Sequence, residues 1–168
     1  MTMYFHIINI GLTFVVALVL HEMGHFLAAR ACHIPITQAG FGWGPKVGSL
    51  RLGEVEYVLR LLPLGAYIRM DMASLQRRRL IQQLFILLAG VAVNFVLSFL
   101  TWGTMFGAFN LALAIGNLLP LYQQDGWKIG MVICRRAFGR PNPFVEWSFT
   151  ISGVLIGFAV LMRALLSV

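Results

Sequence analysis

Charged side chains are scarce in this sequence. Only 11% of its 168 residues are Asp, Glu, Lys or Arg, whereas 59% are hydrophobic. A soluble domain of this size needs more polar surface, so the composition excludes an ordinary soluble fold and indicates a chain that lies in lipid. The formal charge of +7 comes from basic residues placed between apolar runs, which argues against a basic surface for nucleic acid.

Cysteine is nearly absent, with Cys32 and Cys134 as the two examples. Both are expected near the cytoplasmic face, where thiols stay reduced, so we predict free thiols and no disulfide framework. Cys32 adjoins His33, and one interpretation makes this pair part of a second metal site. Two adjacent donors without further ligands are far more often incidental.

Four apolar stretches are long enough to cross a membrane: about residues 4–30, 80–102, 111–134 and 144–166. The third contains Pro120 and the polar run Gln123, Gln124 and Asp125, so we expect it to be broken near residues 120–126. The sequence therefore predicts one domain over residues 1–168. Its fold class is an all-α membrane protein with four transmembrane helices and a small membrane-associated β-hairpin or sheet between helices 1 and 2.

The segment of about residues 40–70 is too polar to span a membrane and too apolar for a plain loop. Its pattern predicts two strands around a Gly53-Glu54 turn and a third strand after Gly65: Lys46–Leu52, Val55–Leu62 and Ala66–Met70. From the pattern alone, a hairpin that only connects two helices is as good an interpretation as a functional one.

Lys and Arg are missing from the N-terminal segment and from the connection between the second and third stretches. Twelve of the thirteen lie in the first connection or around the last one: Arg30, Lys46, Arg51, Arg60, Arg69, Arg77, Arg78, Arg79, Lys128, Arg135, Arg136 and Arg140. The positive-inside rule makes this side cytoplasmic, so we expect both termini to be extracytoplasmic.

The first apolar stretch contains His21-Glu22-Met23-Gly24-His25. Residues 21 and 25 fall on one helix face, one turn apart, with Glu22 beside them. Such a group in an apolar helix is functional by default, and the alternative is a polar cluster that bonds neighbouring helices. The spacing predicts that His21 and His25 bind zinc and that Glu22 is the catalytic base.

A catalytic zinc site usually takes three protein ligands and keeps a fourth position for water. Asp125 is the best candidate for the third, because Glu146, the other acidic residue in the later stretches, lies at the start of the last one. Helical rise puts His21 about 24 Å and Asp125 about 21 Å from the outer ends of their stretches, so their depths agree. We expect one Zn²⁺ per chain, closer to the cytoplasmic side.

At these residues the chain resembles the site-2 protease family of intramembrane zinc metalloproteases, peptidase M50. His21-Glu22-Met23-Gly24-His25-Phe26 matches the family's HExGHF, and residues 117–126 match its NxxPxxxxDG, whose aspartate is the third zinc ligand. Residues 63–70 are similar to its PLGGY segment and residues 89–94 to its AGPxxN, although Ala66 and Val91 replace a glycine and a proline. The resemblance is closest to the bacterial branch that cleaves anti-sigma factors. Members of that branch have a PDZ domain between the second and third stretches, and this connection has none.

The resemblance implies a zinc-dependent metalloendopeptidase in a bacterial plasma membrane that hydrolyses peptide bonds within or near transmembrane segments. Its partners would be a transmembrane protein substrate and the lipid bilayer, with no nucleic acid; a regulatory membrane partner or a homo-oligomer is left open. It also implies that the strand containing Gly65, Ala66 and Tyr67 holds an extended substrate. Asn94 and Asn117 could bind the substrate backbone or only bridge helices.

Two other functions fit parts of the pattern. A metal or ion carrier would also place acidic and histidine residues in broken membrane helices, but it has no need of a base beside a ligand. A catalytically inactive scaffold of the same fold is the second alternative, and the complete motifs argue against it.

Overall fold

The structure is a computed structural model that describes residues 2–138 and 143–166. Arg140, one of the cations used above to predict the orientation, lies outside the described residues. The elements in chain order are α1 Thr2–Ala31, β1 Ile36–Leu52, β2 Val55–Met70, α2 Met72–Gln76, α3 Leu80–Leu100, α4 Met105–Leu118, α5 Asp125–Ala137 and α6 Pro143–Leu166.

The chain divides into two compact units, Met1–Ala114 and Ile115–Val168. The first contains α1, both strands, α2, α3 and most of α4, and the second contains the end of α4 with α5 and α6. A single domain over the whole chain, with the four spans placed as above, stays a prediction.

Within residues 2–138 and 143–166, two helices are long and apolar enough to cross a membrane, namely Ile8–Ala31 within α1 and Leu80–Leu100, which is α3. Large apolar side chains on α3 are exposed, for example Phe99 with 80% exposure. Lipid would cover this exposed apolar surface. A mostly helical chain with a small antiparallel sheet after the first long helix is confirmed. The count of four transmembrane helices stays a prediction.

Two glycines let α1 and α3 approach each other closely. A Cβ atom on Gly24 would lie 2.8 Å from the carbonyl oxygen of Ala89 and 2.9 Å from Cγ2 of Val93. A Cβ atom on Gly90 would overlap the ring of His25 and lie 2.8 Å from the carbonyl oxygen of His21. Close helix contact through small residues is the usual way to pack helices where lipid removes the hydrophobic driving force.

The strands β1 and β2 pair as an antiparallel hairpin in which Leu52 lies opposite Val55. The turn at Gly53, where φ is 61°, is the predicted one. Both strands exceed the prediction, since β1 begins at Ile36 and β2 continues to Met70. Gly65 has φ 97°, a value that glycine adopts without strain, so β2 bends there and continues where the sequence pattern predicts a separate strand.

The last part of β2 is an edge. Residues 38–41 of β1 pair with residues 66–69 on one side and with residues 56–59 on the other. Residues 66–70 have only β1 beside them, because no further strand pairs with them in the described part of the chain. Their outer side is therefore available to another extended segment.

A hydrogen-bonded network crosses the sheet and ends at Tyr67. The Tyr67 hydroxyl donates to Oε1 of Gln38 (2.9 Å), the Gln38 amide donates to Glu56 (2.9 Å), and Lys46 pairs with Glu56 at 2.5 Å. The hydrogen bonds from Lys46 and then Gln38 lower the pKa of Glu56 from 4.5 to about 2. Because the pKa of Glu56 is lowered in the folded protein, its ionised carboxylate stabilises the fold at neutral pH, and this stabilisation is lost as the pH falls towards 2. The stabilisation is small because Lys46 is half-exposed.

In the second unit the chain turns sharply between Leu118, where α4 ends, and Asp125, where α5 begins. A Cβ atom on Gly126 would overlap the carbonyl of Leu118, so glycine allows α5 to start against the end of α4. On α6, a Cβ atom on Gly153 would lie 2.8 Å from the carbonyl oxygen of Pro120. Small residues thus hold the turn between two helices of this unit.

We expect Gly24→Ala to destabilise the first unit by about 1–3 kcal/mol, because the added methyl group forces α1 and α3 apart. Gly11→Ala in the same helix is the matched control, since its Cβ atom would meet no described atom within 4 Å beyond the neighbouring backbone of its own helix. Unfolding of both variants in detergent micelles, followed by circular dichroism, measures the difference. Equal stability of the two variants would contradict the packing described here.

Candidate metal centre

His21 and His25 lie on one face of α1 and are buried, with 3% and 4% exposure. Their Nε2 atoms are 3.2 Å apart, and the rings stand at 80° to each other. Two nitrogens bound to one tetrahedral zinc ion are about 3.3 Å apart, given metal–nitrogen distances of about 2.0–2.1 Å. The pair therefore has the spacing of two ligands to a single ion.

The ring of His25 is oriented by the main chain of α3. Its Nδ1 atom lies 2.8 Å from the carbonyl oxygen of Ile86 and donates a hydrogen bond to it. The proton is thereby assigned to Nδ1, and Nε2 presents its lone pair on the side of His21. Residue types cannot reveal this partner, because every residue carries a main-chain carbonyl.

Glu22, between the two histidines in sequence, is half-buried and reaches the sheet. Its Oε2 atom accepts a hydrogen bond from the main-chain N–H of Ile68 at 3.1 Å. The catalytic base predicted from the sequence is therefore held against the edge part of β2. The Ile68 amide is a second main-chain contact without a sequence signature.

A cavity of about 680 Å³ opens between α1 and the sheet beside Glu22. On the α1 side its wall includes Val19, Met23 and Phe26, and on the β2 side Ala66, Tyr67 and Ile68. Apart from Glu22 the helix wall is apolar. Such a space suits apolar side chains of an extended peptide better than a charged ligand.

Asp125 is the first residue of α5 and is buried, with 3% exposure. Its Oδ1 atom accepts a hydrogen bond from the Lys128 ammonium at 2.9 Å. The helix N-terminus and this cation both favour the charged carboxylate that a metal ligand needs. Lys128 is absent from the residues predicted for the site, although its spacing of three from Asp125 on a helix is a usable signal.

The predicted substrate-binding residues are placed differently from one another. Ala66 and Tyr67 line the cavity, whereas Gly65 does not. Asn94 on α3 is fully buried, and neither amide atom has a hydrogen-bond partner among the described residues. Asn117 is half-buried near the end of α4.

Comparison of the sequence with known proteins identifies the family of this chain. A sequence model described as peptidase family M50 matches residues 10–109, which is more than half of the 168 residues. The chain belongs to this family. The prediction of a site-2 protease, or M50, chain is confirmed, and residues 101–104 between α3 and α4 leave no room for a PDZ domain there.

Two proteins with similar sequences have zinc in their names. A Clostridium perfringens protein named as a candidate zinc metalloprotease is 35% identical over 101 residues, 55% of this chain and 30% of that protein. The zinc metalloprotease RasP of Geobacillus kaustophilus is 46% identical over 50 residues, 30% of this chain and 12% of that protein. The chain thus spans less than a third of the length of these two M50 relatives.

The predicted cofactor, zinc, agrees with the names of both relatives. His21 and His25 in the first unit and Asp125 in the second are each buried, and two imidazoles with one carboxylate are a typical set for catalytic zinc. Cys32 and His33 belong to no such set among the described residues, and both cysteines are free, as predicted.

We expect Gly90→Ala to weaken zinc binding by about 10- to 100-fold, because its methyl group displaces the His25 ring from the Ile86 carbonyl. Gly116→Ala is the control, since its Cβ atom would meet no described atom within 4 Å. Competition with a calibrated zinc chelator measures both affinities. If Gly90→Ala binds zinc as tightly as Gly116→Ala, the helix contact does not orient the ligand.

Proposed function

We propose that this M50 chain is an intramembrane zinc metalloendopeptidase that cuts peptide bonds within or near transmembrane segments of membrane proteins. One observation carries the proposal. Glu22, flanked by two buried histidines, faces an apolar cavity and touches the edge part of β2. A base beside a metal site and a strand edge is what hydrolysis of an extended peptide requires.

His21, His25 and Asp125 would hold one zinc ion per chain. The spacing of the Nε2 atoms, the burial of all three side chains and the matching family motifs support this ligand set. Lys128 beside Asp125 would offset part of the carboxylate charge and hold it in one orientation.

When bound, zinc would supply Lewis-acid activation of a water molecule and of the peptide carbonyl. Glu22 would take a proton from the attacking water and return one to the leaving amine, so that one carboxylate acts first as base and then as acid. The burial of His21 and His25 keeps bulk water away from the reacting groups, which strengthens electrostatic interactions there.

The substrate would be a partly unwound transmembrane segment. A helix shields its own carbonyls, so cleavage needs an extended stretch, which the edge part of β2 can hold by main-chain pairing. The apolar cavity wall fits the side chains of such a segment. The buried amide of Asn94 and the half-buried Asn117 would add hydrogen bonds to the substrate main chain.

The site of action would be a bacterial plasma membrane, with the zinc nearer the cytoplasm and both termini outside. The two long apolar helices support membrane insertion, and the distribution of Lys and Arg supports the orientation. A regulatory membrane partner or a second copy of the chain would control access.

Zinc content tests the ligand set. His21→Ala and Asp125→Ala should each lose most of the roughly one zinc per chain, because a site with two remaining ligands binds far more weakly. Glu146→Gln removes a carboxylate at the start of α6 and should keep the metal, which makes it the control. Elemental analysis after dialysis measures the ratio, and full zinc occupancy in Asp125→Ala would refute the assignment.

The Glu22→Gln variant tests zinc binding and peptide cleavage separately. The amide still accepts a hydrogen bond from Ile68 but cannot take a proton, so zinc should stay while cleavage falls by about 10²- to 10⁴-fold. Coexpression with a panel of single-span membrane proteins and terminal mapping of the products measures cleavage, with Glu54→Gln in the hairpin turn as control. Cleavage by Glu22→Gln within a few-fold of wild type would show that Glu22 is not the base. Metal flux without any cut product would instead indicate a carrier.

A further inference from the structure

The main-chain N–H of Ile68 donates a hydrogen bond to the proposed base, Glu22, at 3.1 Å. We propose that Ile68 sets the register of cleavage, so that the peptide bond to be cut lies opposite Ile68 on the free edge of β2, with apolar side chains on both sides of the cut. The proposal rests on the proposed function, in which Glu22 is the base and this edge holds the substrate.

The hydrogen bonds around Ile68 show which main-chain groups face outwards. The hydroxyl of Thr37 donates to the carbonyl of Arg69 (3.2 Å), and the N–H of Asp71 donates to the carbonyl of Pro35 (2.9 Å), so residues 69 and 71 face β1 and the chain before it. The N–H of Ile68 points the other way, to Glu22. Because main-chain groups alternate along a strand, the outward-facing positions are Ala66, Ile68 and Met70.

Distance selects Ile68 among these three positions. Ala66 and Met70 lie about 6.6 Å from Ile68 along the strand, and a paired segment would run about 4.8 Å from β2. A general base works when its oxygen lies within about 2.6–3.2 Å of the water oxygen whose proton it takes. A carboxylate that touches the Ile68 amide therefore serves the peptide bond opposite Ile68 and is too far from the bonds opposite its two neighbours.

The hydrogen bond itself distinguishes this position from its neighbours. The N–H of Ile68 is already donated to Glu22, so a substrate carbonyl opposite Ile68 receives no hydrogen bond from β2. Carbonyls opposite Ala66 and Met70 can be bound by the strand in the ordinary way. The docked segment is therefore held by main-chain hydrogen bonds on both sides of one peptide bond. The carbonyl of that bond receives no hydrogen bond from an N–H of β2.

The cavity indicates the chemistry of the residues next to the cut. Ala66, Tyr67 and Ile68 line it together with Met23 and Phe26 of α1. Its volume of about 680 Å³ exceeds that of one side chain, so at least two substrate residues can enter. Leucine, phenylalanine or methionine beside the cut fits this wall, and a charged residue would be desolvated without a partner.

Disulfide crosslinking in the membrane-embedded full chain tests the register. The probe is a single-span protein with a leucine-rich segment interrupted by Asn-Gly, and the wild-type chain first defines its cleavage site. Single cysteines replace Ala66, Ile68 or Met70 in a Glu22→Gln background, which keeps an acceptor for the Ile68 amide and leaves the probe uncut. Cys32 and Cys134 are replaced by serine, and cysteines are scanned through the probe.

The crosslink yield of Ile68→Cys should peak, several-fold above the other pairs, at the two probe residues that flank the cut. Ala66→Cys and Met70→Cys should peak about two residues away, in opposite directions. A peak at the cut for Ala66→Cys or Met70→Cys, or a yield that is the same at all positions, would overturn the register. Failure of the wild-type chain to cut any probe would overturn the proposed function, and the register with it.

Discussion

The hydrogen bond from His25 Nδ1 to the carbonyl of Ile86 is the interaction on which the rest of the site depends. It exists only because α1 and α3 lie close enough for a side chain of one helix to reach the main chain of the other, and Gly24 and Gly90 permit that distance. Glycine costs a helix about 1 kcal/mol relative to alanine, so two glycines at one crossing weaken each helix in order to gain the contact. The contact fixes the tautomer of His25 and brings its Nε2 atom to that of His21.

Glu22 joins this helix pair to the sheet. The residue follows His21 directly, yet its carboxylate accepts a hydrogen bond from Ile68 in β2, so α1 contains two of the proposed ligands and the sheet contacts the proposed base. The strand that holds Ile68 is in turn tied to β1 through the Tyr67 hydroxyl and Gln38. One set of contacts within the first unit therefore links the proposed base to the edge part of β2, so the hairpin contacts the proposed site as well as connecting two helices.

The sequence predicted the parts of this arrangement that depend on residue type. Two histidines four apart beside a glutamate in an apolar stretch predict a zinc site, and a Gly-Glu pair between alternating segments predicts the hairpin turn at Gly53. The contacts of Ile86 and Ile68 could not be predicted, because they use main-chain groups that every residue has. The sequence predicts residues 66–70 as a separate strand, and they do pair with β1 on the side opposite residues 56–59. Gly65, at φ 97°, joins them to the rest of β2 in one continuous element. Gly24 and Gly90 lie on different helices, and nothing in their sequence positions reveals that they meet.

X-ray absorption at the zinc edge of the purified chain in lipid tests the His21 and His25 ligands, because it counts the ligand atoms around the metal. We expect four light atoms at about 2.0–2.1 Å, two of them imidazole nitrogens, and no sulfur at about 2.3 Å. The imidazole signal should fall by half in His21→Ala protein loaded with zinc, and the spectrum of Cys32→Ser should match that of wild type. A sulfur ligand, or an imidazole count that His21→Ala leaves unchanged, would contradict a site built on the His21 and His25 pair.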